Sequence, residues 1–343
     1  MRRDGVTLGI DLGATTVRAA VVDEGGRLIG QERHRLQSKE PPQVAEAIVR
    51  ASKTACAAAG LPFSEMLGLG LAVDGRVHKA TGVITASPAL GWRDVPLLKL
   101  LQARVPKVPI ALTNDLAAVV WAERMAGAAK GVDDLLVVLL GSHVGCGLVL
   151  GGRLQEGWSG LAGDLAHSKV SSAAPDPQKP AAHGRQCGCG QRGCLDAYAT
   201  STALCAWARD DIRIAQAAAR AAGKPNLVGK RLLDLVGGDP DKITAAAMER
   251  AAHEGDELSR RLLDEAARML GFSVANLLTM LNPQRLLLGG GLLSSSPRMM
   301  RLAQDAIDLY ASKAARISCT VGAPALGDDA GVVGAALLAR EAA

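Results

Sequence analysis

The sequence predicts an α/β chain of two lobes facing a cleft, and two observations carry that expectation. The first is a repeated opening: a buried strand, a turn of small residues and a returning strand occur near residues 6–22 and again near 134–150. A supersecondary unit that occurs twice points to duplicated lobes. The second is size and composition. At 343 residues with 48% apolar content, the chain exceeds one average domain and can fill real cores. With only four Trp, two Tyr and two Phe, that packing falls to Ala, Leu and Val.

In order along the chain, Val6 to Ile10 reads as a buried strand. Val17 to Val22 and Leu28 to His34 read as a hairpin about Glu24-Gly25-Gly26. Val44 to Ala59 has helical periodicity and stops at Gly60-Leu61-Pro62. Met66 to Val73 is another buried strand, followed by a glycine-rich stretch. Val108 to Leu112 then leads through Thr113-Asn114-Asp115 into a helix from about Asp115 to Ala129. Leu135 to Leu140 is a strand, Gly141 to Gly147 a turn, and Leu148 to Leu150 a strand again. Residues 171–186 read as a surface loop, and helices dominate from Thr202 to Met280. Arg285 to Leu288 is a strand ending in Gly289-Gly290-Gly291, and Ala330 to Glu341 closes the chain as a helix.

Charge and cysteines bound the setting. A formal charge of +5, spread along the chain, fits a protein that handles anionic ligands and offers no basic block for nucleic acid. No stretch approaches the ~20 apolar residues of a membrane span, and no signal-peptide pattern opens the chain. Three of seven cysteines fall between 187 and 194, which suits a metal site in a reducing compartment better than disulfides. A cytoplasmic location is expected.

Five constellations carry chemistry. In Asp11-Leu12-Gly13-Ala14-Thr15-Thr16, small residues let backbone amides approach phosphate, and Asp11 offers oxygen to hydrated magnesium. Asn114-Asp115 lies where a strand meets a helix. A carboxylate there is ordinarily a helix cap. The functional reading makes Asp115 a general base for a sugar hydroxyl, with Asn114 on a second hydroxyl, and expects the helix dipole to lower the Asp115 pKa. Gly141-Ser142-His143-Val144-Gly145-Cys146-Gly147 is a second backbone cradle, and Gly289-Gly290-Gly291 a place where a flat ring can lie on the chain. The strongest is Cys187-x-Cys189-x4-Cys194 with His167 upstream, a donor set for tetrahedral structural zinc; His183 is the rival fourth ligand. Asp164 and Asp196 flank this set, so a metal knot would draw both toward one polyol pocket.

Taken in order, these motifs resemble the ROK family of repressors, open reading frames and kinases, and its bacterial glucokinases in particular. The likeness runs from Asp11-Leu12-Gly13-Ala14-Thr15 through Gly91-Trp92-Arg93-Asp94, Asn114-Asp115 with Glu123, and Leu281-Asn282-Pro283 to Leu326-Gly327-Asp328-Asp329-Ala330-Gly331. Its most specific part is Gly157 through His167 to Cys187-Gly188-Cys189-Gly190-Gln191-Arg192-Gly193-Cys194-Leu195-Asp196.

The resemblance implies an actin/hexokinase-like fold, with a small lobe of residues 1–113 completed by helix 328–343. Residues 114–327 would form a large lobe carrying the zinc insertion. It implies a sugar kinase that uses Mg-ATP to phosphorylate a hexose, glucose or a relative, at a primary hydroxyl. Asp115 would be the base. Asn114, Asp164, His167 and Asp196 would contact sugar. Asp11, Gly13, Thr15, Thr16, Gly141, Ser142, Gly145, Gly289 and Gly290 would hold the nucleotide and its magnesium. His167, Cys187, Cys189 and Cys194 would bind zinc, in a homodimer or homotetramer.

The chain departs from the family pattern at named places. Asp164 and Asp196 stand where Glu is usual, each roughly 1.5 Å shorter in reach. Ala117 and Ala89 stand for Asn, Ala14 for Gly, and Ser142-His143 for Thr-Gly. A non-catalytic sugar sensor is therefore the rival expectation. A repressor is not expected, because only ten residues precede Asp11.

Overall fold

The computed structural model describes residues 5–105, 107–170 and 184–342. The chain divides into two compact units: Met1–Val137, Gly147–Gly163 and Gly322–Ala343 form one, and Val138–Cys146 with Asp164–Val321 the other.

The first unit opens with β1 (Thr7–Leu12), β2 (Thr16–Val22) and β3 (Leu28–Arg35), an antiparallel meander. Helix α1 (Pro41–Ala58) follows, then β4 (Leu69–Val73), β5 (Arg76–His78), β6 (Val83–Ser87), β7 (Trp92–Val95), α2 (Leu97–Gln102), β8 (Ile110–Asn114) and α3 (Asp115–Met125). Strands β1, β4 and β8 are parallel, so the sheet runs β3-β2-β1-β4-β8. The near-continuous apolar character of β1 and β4 follows from burial on both faces. Helix α1 starts three residues before its apolar periodicity does, because Pro41 carries the fixed φ that suits a first helical turn. Its Val44, Ile48, Ala51 and Ala55 then face the core.

The strands β5, β6 and β7 form a separate antiparallel sheet in the stretch that reads from sequence only as glycine-rich. Buried Trp92 on β7 donates its indole N–H to the Lys39 carbonyl at 2.6 Å, and Lys39 Nζ reaches the Ala89 carbonyl at 2.7 Å.

The closing helix α12 (Ala330–Ala342) lies almost bare-backed against the five-stranded sheet β3-β2-β1-β4-β8. A methyl group on Gly9 would run into the Val332 carbonyl, one on Gly70 into Ala335, and one on Gly334 into the Ala118 carbonyl of α3. Overpacking of that kind costs about 1–3 kcal/mol. Glycine and alanine thus set how near α12 can come. Buried Glu123 on α3 adds a polar clamp: Oε1 accepts the Ala325 and Leu326 N–H groups at 2.8 and 2.9 Å, and Oε2 accepts Ala128 N–H at 2.8 Å.

The second sheet runs β11-β10-β9-β12-β13, with β9 (Leu135–Leu140), β10 (Val144–Leu150), β11 (Arg153–Gln155), β12 (Arg285–Gly289) and β13 (Thr320–Gly322). It repeats the order of the first, so the duplicated opening does mark a duplicated sheet. The unit division passes through β9 and β10. Helices of the second unit are α4 (Asp196–Ala199), α5 (Ser201–Ala221), α6 (Lys230–Leu235), α7 (Ala245–His253), α8 (Glu257–Leu281), α9 (Gly291–Ser295), α10 (Pro297–Tyr310) and α11 (Lys313–Ser318). Side-chain caps from Thr200, Thr244, Asp256 and Ser296 start α5, α7, α8 and α10. Among the described residues, no helix is long and apolar enough to cross a membrane.

Candidate functional site

In the first unit, the carboxyl ends of three parallel strands gather acidic residues. Asp11 lies in β1, and Gly13 N–H closes the following turn on the Thr16 carbonyl at 3.0 Å. Asp11 is half-buried, with α12 beginning beside it: a Cβ on Gly331 would lie 2.9 Å from its Oδ2. Burial pushes the Asp11 carboxyl up, against the pull of Arg18 and Arg33 on the adjoining strands. Arg18 also holds Asp329, at 2.6 Å.

At the end of β8, Asn114 rather than Asp115 is the cap of α3: its Oδ1 accepts Ala117 N–H at 2.6 Å. Asp115 is the first residue of the helix, its Oδ1 accepting Leu116 N–H at 2.9 Å. The dipole expectation for its pKa is overturned. Asp115 is raised to about 6, chiefly because protein crowds it, then by the negative charges of Asp74 and Asp11, with the Leu116 N–H opposing. Its surface nonetheless stays open to solvent. An accessible carboxylate of that basicity is well matched to accepting a proton near neutral pH. Asp74 is a residue that sequence reasoning missed. Its signal was a carboxylate placed between a buried strand and a glycine.

In the second unit, the turn after β9 is tied down from several sides. Gly141 N–H bonds the His143 carbonyl at 3.1 Å, and Ser201 N–H bonds the Gly141 carbonyl at 3.0 Å. Asp196, opening α4, takes Val144 N–H on Oδ1 at 3.1 Å and faces His143 Nδ1 with Oδ2 at 3.4 Å. Ser142 and His143 themselves are exposed. Strand β10 begins at Val144 and not at Leu148, because this bonding keeps the chain extended past the turn. Gly290, at φ 93°, leaves β12 where a side chain would strike the Leu140 backbone. Only a glycine fits there. Gly289 ends β12 and is buried.

Also in the second unit, His167, Cys187, Cys189 and Cys194 bring four ligand atoms within 4.8 Å of one another, the one such cluster among the described residues. Cys187 Sγ lies 3.7 Å from His167 Nδ1, and Cys189 Sγ 3.7 Å from Cys194 Sγ. A tetrahedral zinc with ordinary Zn–S and Zn–N bonds needs edges of about 3.8 and 3.6 Å. Two edges thus match a zinc tetrahedron and no pair of the four donors lies more than 4.8 Å apart, so the donor set suits zinc. Local bonding shapes it: Cys187 N–H reaches the Gln191 carbonyl at 2.8 Å, and Lys169 Nζ reaches Cys194 Sγ at 3.1 Å. His183 and most of the preceding loop, 171–183, lie outside the described residues. Asp164 is exposed at the start of the short turn Leu165–His167.

The sequence profile of the ROK family matches residues 7–342. A glucokinase of Streptomyces coelicolor is 31% identical over 338 residues, covering 98% of each chain. Among solved structures, a ROK glucokinase from Streptomyces griseus in complex with glucose and AMPPNP aligns with a TM-score of 0.73 at 29% identity, over 98% of this chain and 100% of its own. A ROK hexokinase from Thermus thermophilus aligns at 0.76 and 28%, over 98% of both. The α/β fold is thus that of the actin/hexokinase-like sugar kinases. With its first strand, acidic strand ends, cysteine cluster and last helix all inside one continuous match, the chain belongs to the ROK family.

Proposed function

We propose that this chain is a sugar kinase that transfers the γ-phosphoryl group of ATP to a primary hydroxyl of a hexose. The observation that carries this reading is Asp115, an accessible carboxylate at the end of a parallel strand whose pKa of about 6 suits a general base. Asp115 takes the proton of the hydroxyl as its oxygen attacks the γ-phosphorus in line, and ADP leaves with the bond electrons. Magnesium bound with the nucleotide would neutralise phosphate charge, and Asp11 is the carboxylate offered to it. The nucleotide would also use Gly13, Thr15 and Thr16, the cradle Gly141, Ser142 and Gly145, and the glycines Gly289 and Gly290. Asn114, Asp164, His167 and Asp196 are assigned to sugar hydroxyls. His167, Cys187, Cys189 and Cys194 would hold a structural zinc that fixes the segment carrying Asp196. A lobe boundary near residue 113, with helix 328–343 returning to the first lobe, and a homodimer or homotetramer complete the reading.

Sugar-dependent ADP release, measured over glucose, mannose, N-acetylated hexosamines and allose, tests it. We expect turnover with at least one. One observation favours a second reading, a sugar sensor without turnover: both Asp196 oxygens already face the His143-Val144 turn. Calorimetric binding of a sugar that never releases ADP would establish the sensor instead.

A further inference from the structure

The parallel strands of the first unit carry a carboxylate that the proposed reaction leaves unused. Leu12, Val73 and Asn114 form one register row across β1, β4 and β8. The next residues along these strands are Gly13, Asp74 and Asp115. Neighbouring strands lie about 4.8 Å apart, so Asp74 follows the middle strand, with the Asp11 turn on one side and Asp115 on the other. Its own N–H continues the ladder to the Leu12 carbonyl at 3.3 Å. Gly75 then fixes where the chain goes, since a Cβ there would meet the Ala86 carbonyl at 2.5 Å and Ser87 Cβ at 3.0 Å. Asp74 is half-buried, and among the described residues no cation stands within ion-pair distance of it.

We propose that Asp74 is a positioning residue of the catalytic centre, whose negative charge controls whether Asp115 is free to accept a proton. The proposal rests on the phosphotransfer reading above. A carboxylate held beside a general base makes that base stronger, because protonation relieves the repulsion. The same charge makes the base fill with protons at a higher pH, so strength near neutrality is exchanged for activity in acid. The groups that face Asp115 are Asp74 from the end of β4, Asp11 from β1 and the Leu116 N–H of α3. Asp11 is in turn faced by Arg18 on β2, Arg33 on β3, Asp328 ahead of α12, and Asp74. The two arginines therefore act on Asp11, whereas Asp74 presses on both carboxylates. Its effect on Asp115 ranks above that of Asp11.

The test is Asp74→Asn, which keeps the shape and removes the charge. Carbon-13 NMR of the full chain, with the Asp115 carboxyl assigned by its loss in Asp115→Asn, reads the protonation midpoint without any substrate. We expect the midpoint to fall by about 0.5 to 1 pH unit in Asp74→Asn, and to stay at the parent value in Asp74→Glu. The acid limb of kcat/KM should move down with it, while plateau kcat falls by about two- to five-fold, as for a weaker base. An unmoved midpoint in a folded Asp74→Asn protein would overturn the proposal. So would a collapsed plateau with the acid limb in place, which would make Asp74 a direct ligand of substrate. A parent chain that never turns over sugar, with the midpoint still moving, would instead sink the phosphotransfer reading and leave the charge coupling standing.

Discussion

Two clusters of ionisable groups in this protein are handled in opposite ways. In the first unit, Asp11, Asp74 and Asp115 are brought to neighbouring strand ends with little to neutralise Asp115, and its pKa rises to about 6. In the second unit, three thiols and an imidazole bring their donor atoms within 4.8 Å of one another, with Lys169 against one sulfur. The first arrangement keeps charge uncompensated, which suits a general base. The second invites compensation by a bound cation. The proposed reactivity and the proposed metal-held stability thus fall to different clusters.

The largest expected effect breaks the first cluster. Asp115→Asn should lower kcat by at least ~10² while sugar binding, measured by calorimetry, stays near the parent value. It should also change stability with a definite sign. In the parent, the folded Asp115 binds its proton more tightly than the unfolded chain, whose carboxyl titrates near the ordinary aspartate value of 3.8. Folded stability is therefore fully present below about pH 4 and partly lost as pH rises to about 6. Asn carries no such loss. Thermal unfolding should show Asp115→Asn melting above the parent at pH 8, with the gap closing toward pH 4. A variant that turns over at the parent rate would make Asp115 only a helix residue.

The two clusters also differ in how plainly they could be read beforehand. The thiols are spaced within one short segment, so ligand chemistry is visible in the order Cys187, Cys189, Cys194, whereas His167, in a turn well upstream, joins them only in the fold. The carboxylate row is assembled by sheet register from residues far apart, so the place of Asp74 beside Asp115 shows only once β4 stands between β1 and β8. The pKa of Asp115 was misjudged for a related reason: crowding and neighbouring charge come from tertiary structure, and they outweigh the local helix dipole. Strands β5 to β7 were missed because they span three to five residues, too few to show a period. The buried strands and the closing helix were legible because their apolar runs are long. The sheet duplication was legible because a strand, small-residue turn and strand recur.

Breaking the second cluster should cost structure before chemistry. The purified chain should hold about one zinc, read by elemental analysis. Cys194→Ser should lose the metal and melt earlier than the parent, whereas Asp115→Asn keeps its zinc. Metal lost from His183→Ala but kept by His167→Ala would reassign the fourth ligand. A folded, untreated preparation without metal would end the comparison, since nothing would then hold the thiols together.

The smallest expected effect lies where the knot meets the proposed sugar contacts. Asp196 follows Cys194 by two residues, and its carboxylate already faces Val144 N–H and the His143 ring. A carboxylate has about four acceptor positions, so a sugar hydroxyl can share it, though only from the remaining directions. Asp164 is one methylene shorter than the usual Glu as well, and water can fill such a gap with little enthalpic loss but weaker discrimination among hydroxyl geometries. The parent should therefore separate glucose from its epimers by only a few-fold, on the order of 1 kcal/mol. Asp164→Glu/Asp196→Glu should sharpen that preference or shift it to another sugar, read as kcat/KM ratios across the same panel. His143→Gly in the same background should add to the gain, because it releases one Asp196 oxygen. If the parent is already a tight, glucose-selective kinase that the double change only damages, the shorter carboxylates reach the sugar directly.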